Sequence, residues 1–159
     1  MKTAIIYKSR HGTTCKVSEM IAERLGTEYI TLIDLTSNAE PDISVYDKII
    51  IGGSIHVGKI QKEVQKFCEK NLRTLLKKEI GLFICCMDPD EDTRKLEFEN
   101  AYPKILRGHS KANGIMGGEF LFDKLNFIEK IAVKKIAHED KTVSKLDNKA
   151  IEDFIEAMV

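Results

Sequence analysis

Residues 46–58 read Tyr46-Asp47-Lys48-Ile49-Ile50-Ile51-Gly52-Gly53-Ser54-Ile55-His56-Val57-Gly58, and this stretch decides the fold. Successive strand residues point to opposite faces of a sheet, so a run of three isoleucines leaves neither face for water. A strand of that kind belongs inside a parallel sheet covered on both sides. The run then meets Gly52, Gly53 and Gly58, three glycines in seven residues, where the chain leaves the strand. Glycine there permits positive φ and close approach of the backbone to a planar ligand, and a plain strand-to-helix turn needs fewer.

Working outward, short apolar runs at residues 3–7, 29–35, 80–86 and 114–120 are bounded by turn residues and read as further strands. Helical periods lie between them. Val17, Met20, Ile21 and Leu25 recur at helix spacing and stop at Gly26. Val64, Phe67, Cys68, Leu72, Leu75 and Leu76 form a second face, and Ile151, Phe154, Ile155 and Met158 the last. Residues 91–107 carry a helical period interrupted by Pro103, which predicts a break or kink; residues 36–47, with Pro41, read as loop with at most a short helix. Right-handed crossovers turn this alternation into a doubly wound α/β sheet with helices on both faces.

The chain has 159 residues, and that length predicts one domain over residues 1–159. Area scaling gives about 8,000 Å² folded against about 26,000 Å² unfolded, enough burial for a core without metal or disulfide staples. Hydrophobic residues make up 43%, and 25 basic side chains balance 25 acidic ones, which excludes a disordered chain. With no basic stripe interleaved with aromatics, a nucleic-acid partner is not expected. No apolar run approaches the roughly 18 residues that span a bilayer, and the start MKTAIIYKSR lacks a signal-peptide core, so a cytoplasmic location is expected. Cys15, Cys68, Cys85 and Cys86 show neither C-x-x-C nor a Cys/His metal spacing, which predicts reduced thiols and no metal site.

In an open α/β sheet the ligand crevice lies at the carboxyl ends of the strands, where strand order reverses. After the first strand comes Lys8-Ser9-Arg10-His11-Gly12-Thr13-Thr14, with a helix from about Cys15. Hydroxyls and a glycine at a helix N-terminus supply donors and the positive end of a dipole to a phosphate dianion. The competing reading is a threonine that merely caps the helix. After the fourth strand comes Cys85-Cys86-Met87-Asp88. Adjacent strand residues face opposite sides, so the two cysteines cannot pair or share a metal without distortion. Cys86 is a core or wall residue on this reading, with a redox-responsive thiol as the alternative.

The loop Ser9-Arg10-His11-Gly12-Thr13-Thr14, taken with residues 46–58, resembles the flavodoxin-domain family that includes menaquinone-dependent protoporphyrinogen oxidase. The likeness continues through residues 61–67 and more weakly from Gly117-Gly118 to the end, its specific motifs lying in the first half. It implies a flavodoxin-like sheet of five parallel strands in order 2-1-3-4-5, and one FMN per chain. It implies further that Ser9, Arg10, His11, Gly12, Thr13 and Thr14 wrap the FMN phosphate. Ser54, Ile55, His56, Val57 and Gly58 would line one edge and face of the isoalloxazine, and Cys86, Met87 and Asp88 the other. This chain departs from the family at His11, where a threonine is usual, exchanging a hydroxyl donor for a ring N–H. Val57 stands where the protoporphyrinogen oxidase has an aromatic, which makes that flavin contact aliphatic. Carrier flavodoxins are strongly acidic, whereas this chain is neutral.

The expected function is FMN-dependent electron transfer or oxidoreduction. Menaquinone-dependent oxidation of protoporphyrinogen IX in haem biosynthesis is the specific alternative, and a flavin-free interaction module a further one. A response-regulator receiver is set aside, because Lys8-Ser9-Arg10 and Gly53-Ser54 stand where it needs an acidic pair and a phosphoacceptor aspartate. His56 is the group of its loop that titrates near neutrality, a candidate proton donor or substrate contact against the reading of an exposed loop histidine. The backbone at residues 52–54 is expected to reorient toward the reduced ring. No G-x-G-x-x-G follows a strand, so electrons must come from a redox partner protein, a quinone or a docking substrate. The stretch from Asp123 to Ile136 sets Ile128, Ile131, Ala132 and Ile136 beside Lys130, Lys134 and Lys135. It reads as a surface helix on its own core or as a peripheral contact with an anionic membrane. Homodimerisation through an exposed helix stays open.

Overall fold

Ile49, Ile50 and Ile51 lie fully buried in the central strand of a parallel sheet, as their unbroken run requires. The structure, a computed structural model, describes residues 1–120 and 143–159. In chain order the elements are β1 (Thr3–Tyr7), α1 (Thr13–Leu25), β2 (Ile30–Asp34), β3 (Lys48–His56), β4 (Lys59–Ile60), α2 (Lys62–Lys70), α3 (Leu72–Leu75), β5 (Glu79–Cys85), α4 (Glu91–Ala101), α5 (Lys104–His109), β6 (Ala112–Ile115), β7 (Gly117–Phe120), β8 (Val143–Leu146) and α6 (Asn148–Met158). The sheet order is β2-β1-β3-β5-β6, all parallel, which is the expected 2-1-3-4-5 arrangement.

Helices cover both faces. Val17, Ile21 and Ala22 of α1 and Ile151, Phe154, Ile155 and Met158 of α6 pack on Ile5, Ile50 and Phe83. On the other face Val64, Phe67, Cys68, Leu75, Phe98 and Leu106 pack on Ala4, Ile6, Ile49, Ile51, Leu82 and Ile84. Adjacent isoleucines of one strand thus feed two cores, and this fixes the register of β3 against β1 and β5. Tyr102 closes the second core. It stands in extended backbone just before Pro103, where α4 ends, and its buried hydroxyl donates to the carbonyls of Ile51 (3.1 Å) and Phe83 (2.6 Å).

Three boundaries differ from the sequence expectation. The helix face over residues 64–76 is split at Asn71, whose side chain donates back to the carbonyl of Phe67 at 2.9 Å. The strand expected at 48–52 runs on to His56 and turns back as β4, pairing Ile55 with Ile60 and His56 with Lys59. The strand expected at 114–120 breaks at Gly117 (φ +72), and β7 leaves the parallel sheet to pair antiparallel with β8. A Cβ on Gly117 would lie 2.1 Å from the carbonyl oxygen of Lys145, so only glycine fits this bend. The amphipathic stretch 123–136 lies outside the described residues. Among the described residues no helix is long and apolar enough to cross a membrane.

Candidate functional site

The carboxyl ends of β1, β3 and β5 lie side by side, with Tyr7 opposite Gly52 and Ser54 opposite Cys85. Strand order reverses between β1 and β3, the switch point at which such sheets take a ligand. The carboxyl end of β3, the loops after these three strands and the first turn of α1 carry every residue proposed above for the site.

The loop after β1 enters α1 through Gly12, which holds φ +95, a left-handed conformation suited to glycine. Ser9 Oγ accepts from Gly12 N at 2.9 Å and shapes the loop, while Gly12, lacking a side chain, gives α1 no side-chain cap. Thr13 and Thr14 are buried in the first turn, and Thr14 Oγ1 has no hydrogen-bonding partner. The Cys85 thiol lies alongside it, but sulfur is too weak a partner to satisfy a buried hydroxyl. An uncapped helix start beside an orphaned hydroxyl fits a phosphate dianion, which needs several donors converging on one point. Arg10 and His11 belong to the same loop and carry contacts of their own. Tyr7 Oη and Cys15 Sγ meet at 3.4 Å, and Lys16 Nζ reaches Glu119 Oε1 at 2.7 Å, tying α1 to β1 and to β7.

The loop after β3 is a two-residue hairpin in which Val57 (φ +50) and Gly58 (φ +75) both take positive φ. That is the primed turn favoured by strand twist, usually built from Asn-Gly; a β-branched residue there is an outlier. Val57 is also 87% exposed, an apolar tip held out from the protein. His56 is exposed beside it. The two glycines before the hairpin serve a purpose other than positive φ. A Cβ on Gly52 would lie 2.0 Å from the Phe83 ring, and one on Gly53 would lie 2.7 Å from Ile60 and 2.8 Å from Gln61 Oε1. Both are needed for close packing. Residues 52–54 pair in register with β5, so their backbone is held in the ladder and the left-handed peptides of this segment are at Val57 and Gly58.

Gln61, absent from the expected site residues, holds the two loops together. Its Oε1 accepts from Ser54 N (3.0 Å), and its Nε2 donates to Ser54 Oγ (2.6 Å) and to the carbonyl of Lys8 (3.3 Å). In sequence it is one more polar residue before a helix, and only the return of β4 brings it back over β3.

The loop after β5 forms the third wall. Cys85 faces the core under α1 and Cys86 the core under α4, as alternation requires. Burial pushes both thiols up to about 12, so neither is a thiolate at neutral pH. Cys86 N donates to the Gly117 carbonyl (2.9 Å), and a Cβ on Gly118 would lie 2.8 Å from Met87 Cγ, so β7 braces this loop from below. Arg94 Nη1 donates to the Asp88 carbonyl at 2.6 Å, Asp88 Oδ1 accepts from Asp90 N at 2.9 Å, and Asp90 caps α4 through Thr93 N at 2.9 Å. Met87 and Asp88 remain half-buried at the rim. Among the described residues no cluster of His, Cys, Asp and Glu is arranged to hold a metal ion.

Comparison with known proteins bears on this geometry. No curated protein matches the sequence. The chain is similar in structure to a short-chain flavodoxin associated with a non-canonical PDU bacterial microcompartment (TM-score 0.58, 13% identity, covering 99% of this chain and 96% of that one). It is similar also to a WrbA-like flavodoxin from Agrobacterium tumefaciens (0.55, 17%, 97% and 90%) and to flavodoxin 1 from Bacillus cereus (0.51, 18%, 98% and 93%). At these identities the likeness speaks for the fold. The sequence profile of the flavodoxin domain matches residues 4–147, through all five parallel strands and the three loops just described, and the chain belongs to the flavodoxin-domain family.

Proposed function

We propose that this protein is a single flavodoxin-like domain over residues 1–159 that works as an FMN-dependent redox protein, exchanging electrons with a separate partner. FMN is its cofactor. The observation that carries the reading is Thr14 Oγ1, a buried hydroxyl without a partner at the uncapped start of α1. A phosphate dianion there gives that hydroxyl and the first-turn N–H groups the acceptor they lack. Bound FMN would supply the one- and two-electron chemistry.

The chain's own residues bind and orient it. Ser9, Arg10, His11, Gly12, Thr13 and Thr14 hold the phosphate. Ser54, Ile55, His56, Val57 and Gly58 border the ring on one side, with Val57 as the apolar contact, and Cys86, Met87 and Asp88 border it on the other. His56, exposed at the hairpin, is the proton donor or substrate contact at that edge. A redox protein or a quinone docking over the hairpin is the partner this arrangement suits. A second reading, menaquinone-linked oxidation of protoporphyrinogen IX, is supported by the likeness of residues 9–14 and 46–58 to that oxidase and by a net charge unlike that of acidic carriers. The deciding measurement is the visible spectrum of the purified protein, alone and with added FMN. A bound flavin bleached reversibly by dithionite is expected, and His56→Ala with FMN still bound then tests the proton role. Absence of FMN binding refutes the proposal, and inactivity toward menaquinone with protoporphyrinogen removes the second reading alone.

A further inference from the structure

One buried acid has no part in the binding scheme above. Glu97, in the middle of α4, is only 9% exposed, and its Oε2 has neither solvent contact nor a hydrogen-bonding partner. The Cys86 thiol lies beside its carboxyl, and Cys86 is the first residue past β5, at the end of the sheet that takes the ligand. A carboxylate oxygen deprived of both water and donors is a costly place for negative charge, and a proton is the simplest remedy.

The surroundings agree with this. Burial is the largest influence and raises the affinity of Glu97 for a proton, and Asp88 raises it further; the Cys86 thiol and the Arg94 guanidinium oppose them and are outweighed. α4 packs against β4, β5 and β6. Of these β6 carries no titratable side chain, β4 contributes the exposed Lys59, and β5 has Cys85 on the opposite face and Glu79 at its far end. Asp88, Cys86 and Arg94 are therefore the groups that set Glu97.

We propose that Glu97 is a proton-exchanging carboxyl coupled to the redox state of flavin held at Cys86, Met87 and Asp88. It takes up one proton from water when reduction adds negative charge to the ring and returns it on reoxidation. This rests on the FMN reading above. The electrons come from an external donor, dithionite in the test below, and Glu97 supplies none. Its proton is additional to those the ring itself binds. The coupling is Coulombic: new negative charge beyond the Cys86 wall makes a second negative charge on Glu97 harder to hold.

The test uses the full chain loaded with FMN, with the midpoint potential followed against pH by spectroelectrochemistry. Wild type is expected to bind one proton more per reduction than the ring requires, over a window above the usual carboxylate range, and Glu97→Gln to lose it. Reduced-minus-oxidised infrared spectra should gain a protonated-carboxyl band in wild type that Glu97→Gln lacks. Arg94→Gln removes a charge that opposes protonation and should move the window to higher pH, and Glu97→Asp should retain the window; these two carry the test if the glutamine variant does not fold. An FMN-bound protein whose pH profile and infrared difference are the same with and without Glu97 overturns the proposal. Failure of wild type to bind FMN, visible first in the absorption spectrum, overturns the cofactor reading and this proposal with it.

Discussion

Thr14→Val should act in opposite directions on the empty protein and on its affinity for FMN. Valine keeps the shape and replaces the hydroxyl, whose oxygen is buried without a partner, by a methyl group. An unsatisfied buried hydroxyl costs about 1–3 kcal/mol, and the adjacent Cys85 thiol places Thr14 at the low end, so the empty variant should be more stable by about 1 kcal/mol. In the loaded protein the same hydroxyl donates to a phosphate dianion, a charge-assisted bond of about 1.5–3 kcal/mol, and losing it weakens binding by about 10- to 150-fold. Linkage makes the contrast sharp. At free FMN about 100 times the wild-type Kd, wild type gains about 2.7 kcal/mol from the ligand, while a variant binding 100-fold more weakly gains about 0.4 kcal/mol. Urea unfolding in phosphate- and sulfate-free buffer should therefore rank the variant above wild type without FMN and below it with FMN. Quenching of FMN fluorescence gives the affinities directly. If Thr14→Val destabilises the empty protein and leaves FMN affinity unchanged, Thr14 is a structural residue and the phosphate assignment is wrong.

Other substitutions follow from the same geometry. Gly52→Ala drives a methyl group into the buried Phe83 ring at 2.0 Å and should cost about 1–3 kcal/mol or prevent folding, whereas Gly108→Ala, in α5 with nothing within 4 Å, should stabilise by about 0.5–1 kcal/mol; thermal melts compare them. Val57→Asn places a residue tolerant of positive φ in the hairpin turn, so it should raise the urea midpoint by the equivalent of about 1 kcal/mol and weaken FMN binding through loss of the apolar tip. The Asp90 carboxyl lies below the usual carboxylate range because the Thr93 side chain and backbone donate to it. A depressed folded value means its capping contribution is complete above the unfolded value and is lost as pH falls through the folded one, so Asp90→Ala should be less stable than wild type at neutral pH and equal to it in acid.

Much of the architecture is legible in the sequence because burial on two faces leaves a local trace. Three successive isoleucines announce a central parallel strand, Gly26 and Pro103 end helices where they stand, and the hydroxyl-rich loop before α1 marks the switch point. What escapes reading depends on contacts far apart in the chain. β4 shows only Ile60 as an apolar residue, and it becomes a strand because β3 continues past its glycines to meet it. Gly52 and Gly53 look like hinge residues, yet their lack of a side chain makes room for Phe83, Ile60 and Gln61. The break at Gly117 depends on the Lys145 carbonyl beneath it. Glu97 lies in a helix of weak amphipathic pattern, as any surface glutamate does; only the packing of α4 against β4, β5 and β6 makes it a buried acid.

Two departures from low-energy structure, at Thr14 and at Val57, fall on loops that Gln61 joins. One is an unsatisfied hydroxyl and the other a β-branched residue at positive φ, each costing on the order of 1–2 kcal/mol, against a total stability of about 5–15 kcal/mol for an ordinary domain. Other buried hydroxyls are satisfied: that of Ser18 donates to the Thr14 carbonyl at 2.8 Å, and that of Tyr102 reaches two strand carbonyls. The first departure points to an anion and the second to an apolar surface. A ligand with a phosphate at one end and a planar ring at the other would meet both, and Gln61 ties the loop proposed to hold the phosphate to the strand end that leads into the hairpin proposed to border the ring. Simple anions supply half of this, so inorganic phosphate should occupy the loop weakly, and the affinity for FMN should exceed that for phosphate by more than the buried area of the ring accounts for, because the hairpin is already in place when the phosphate is held.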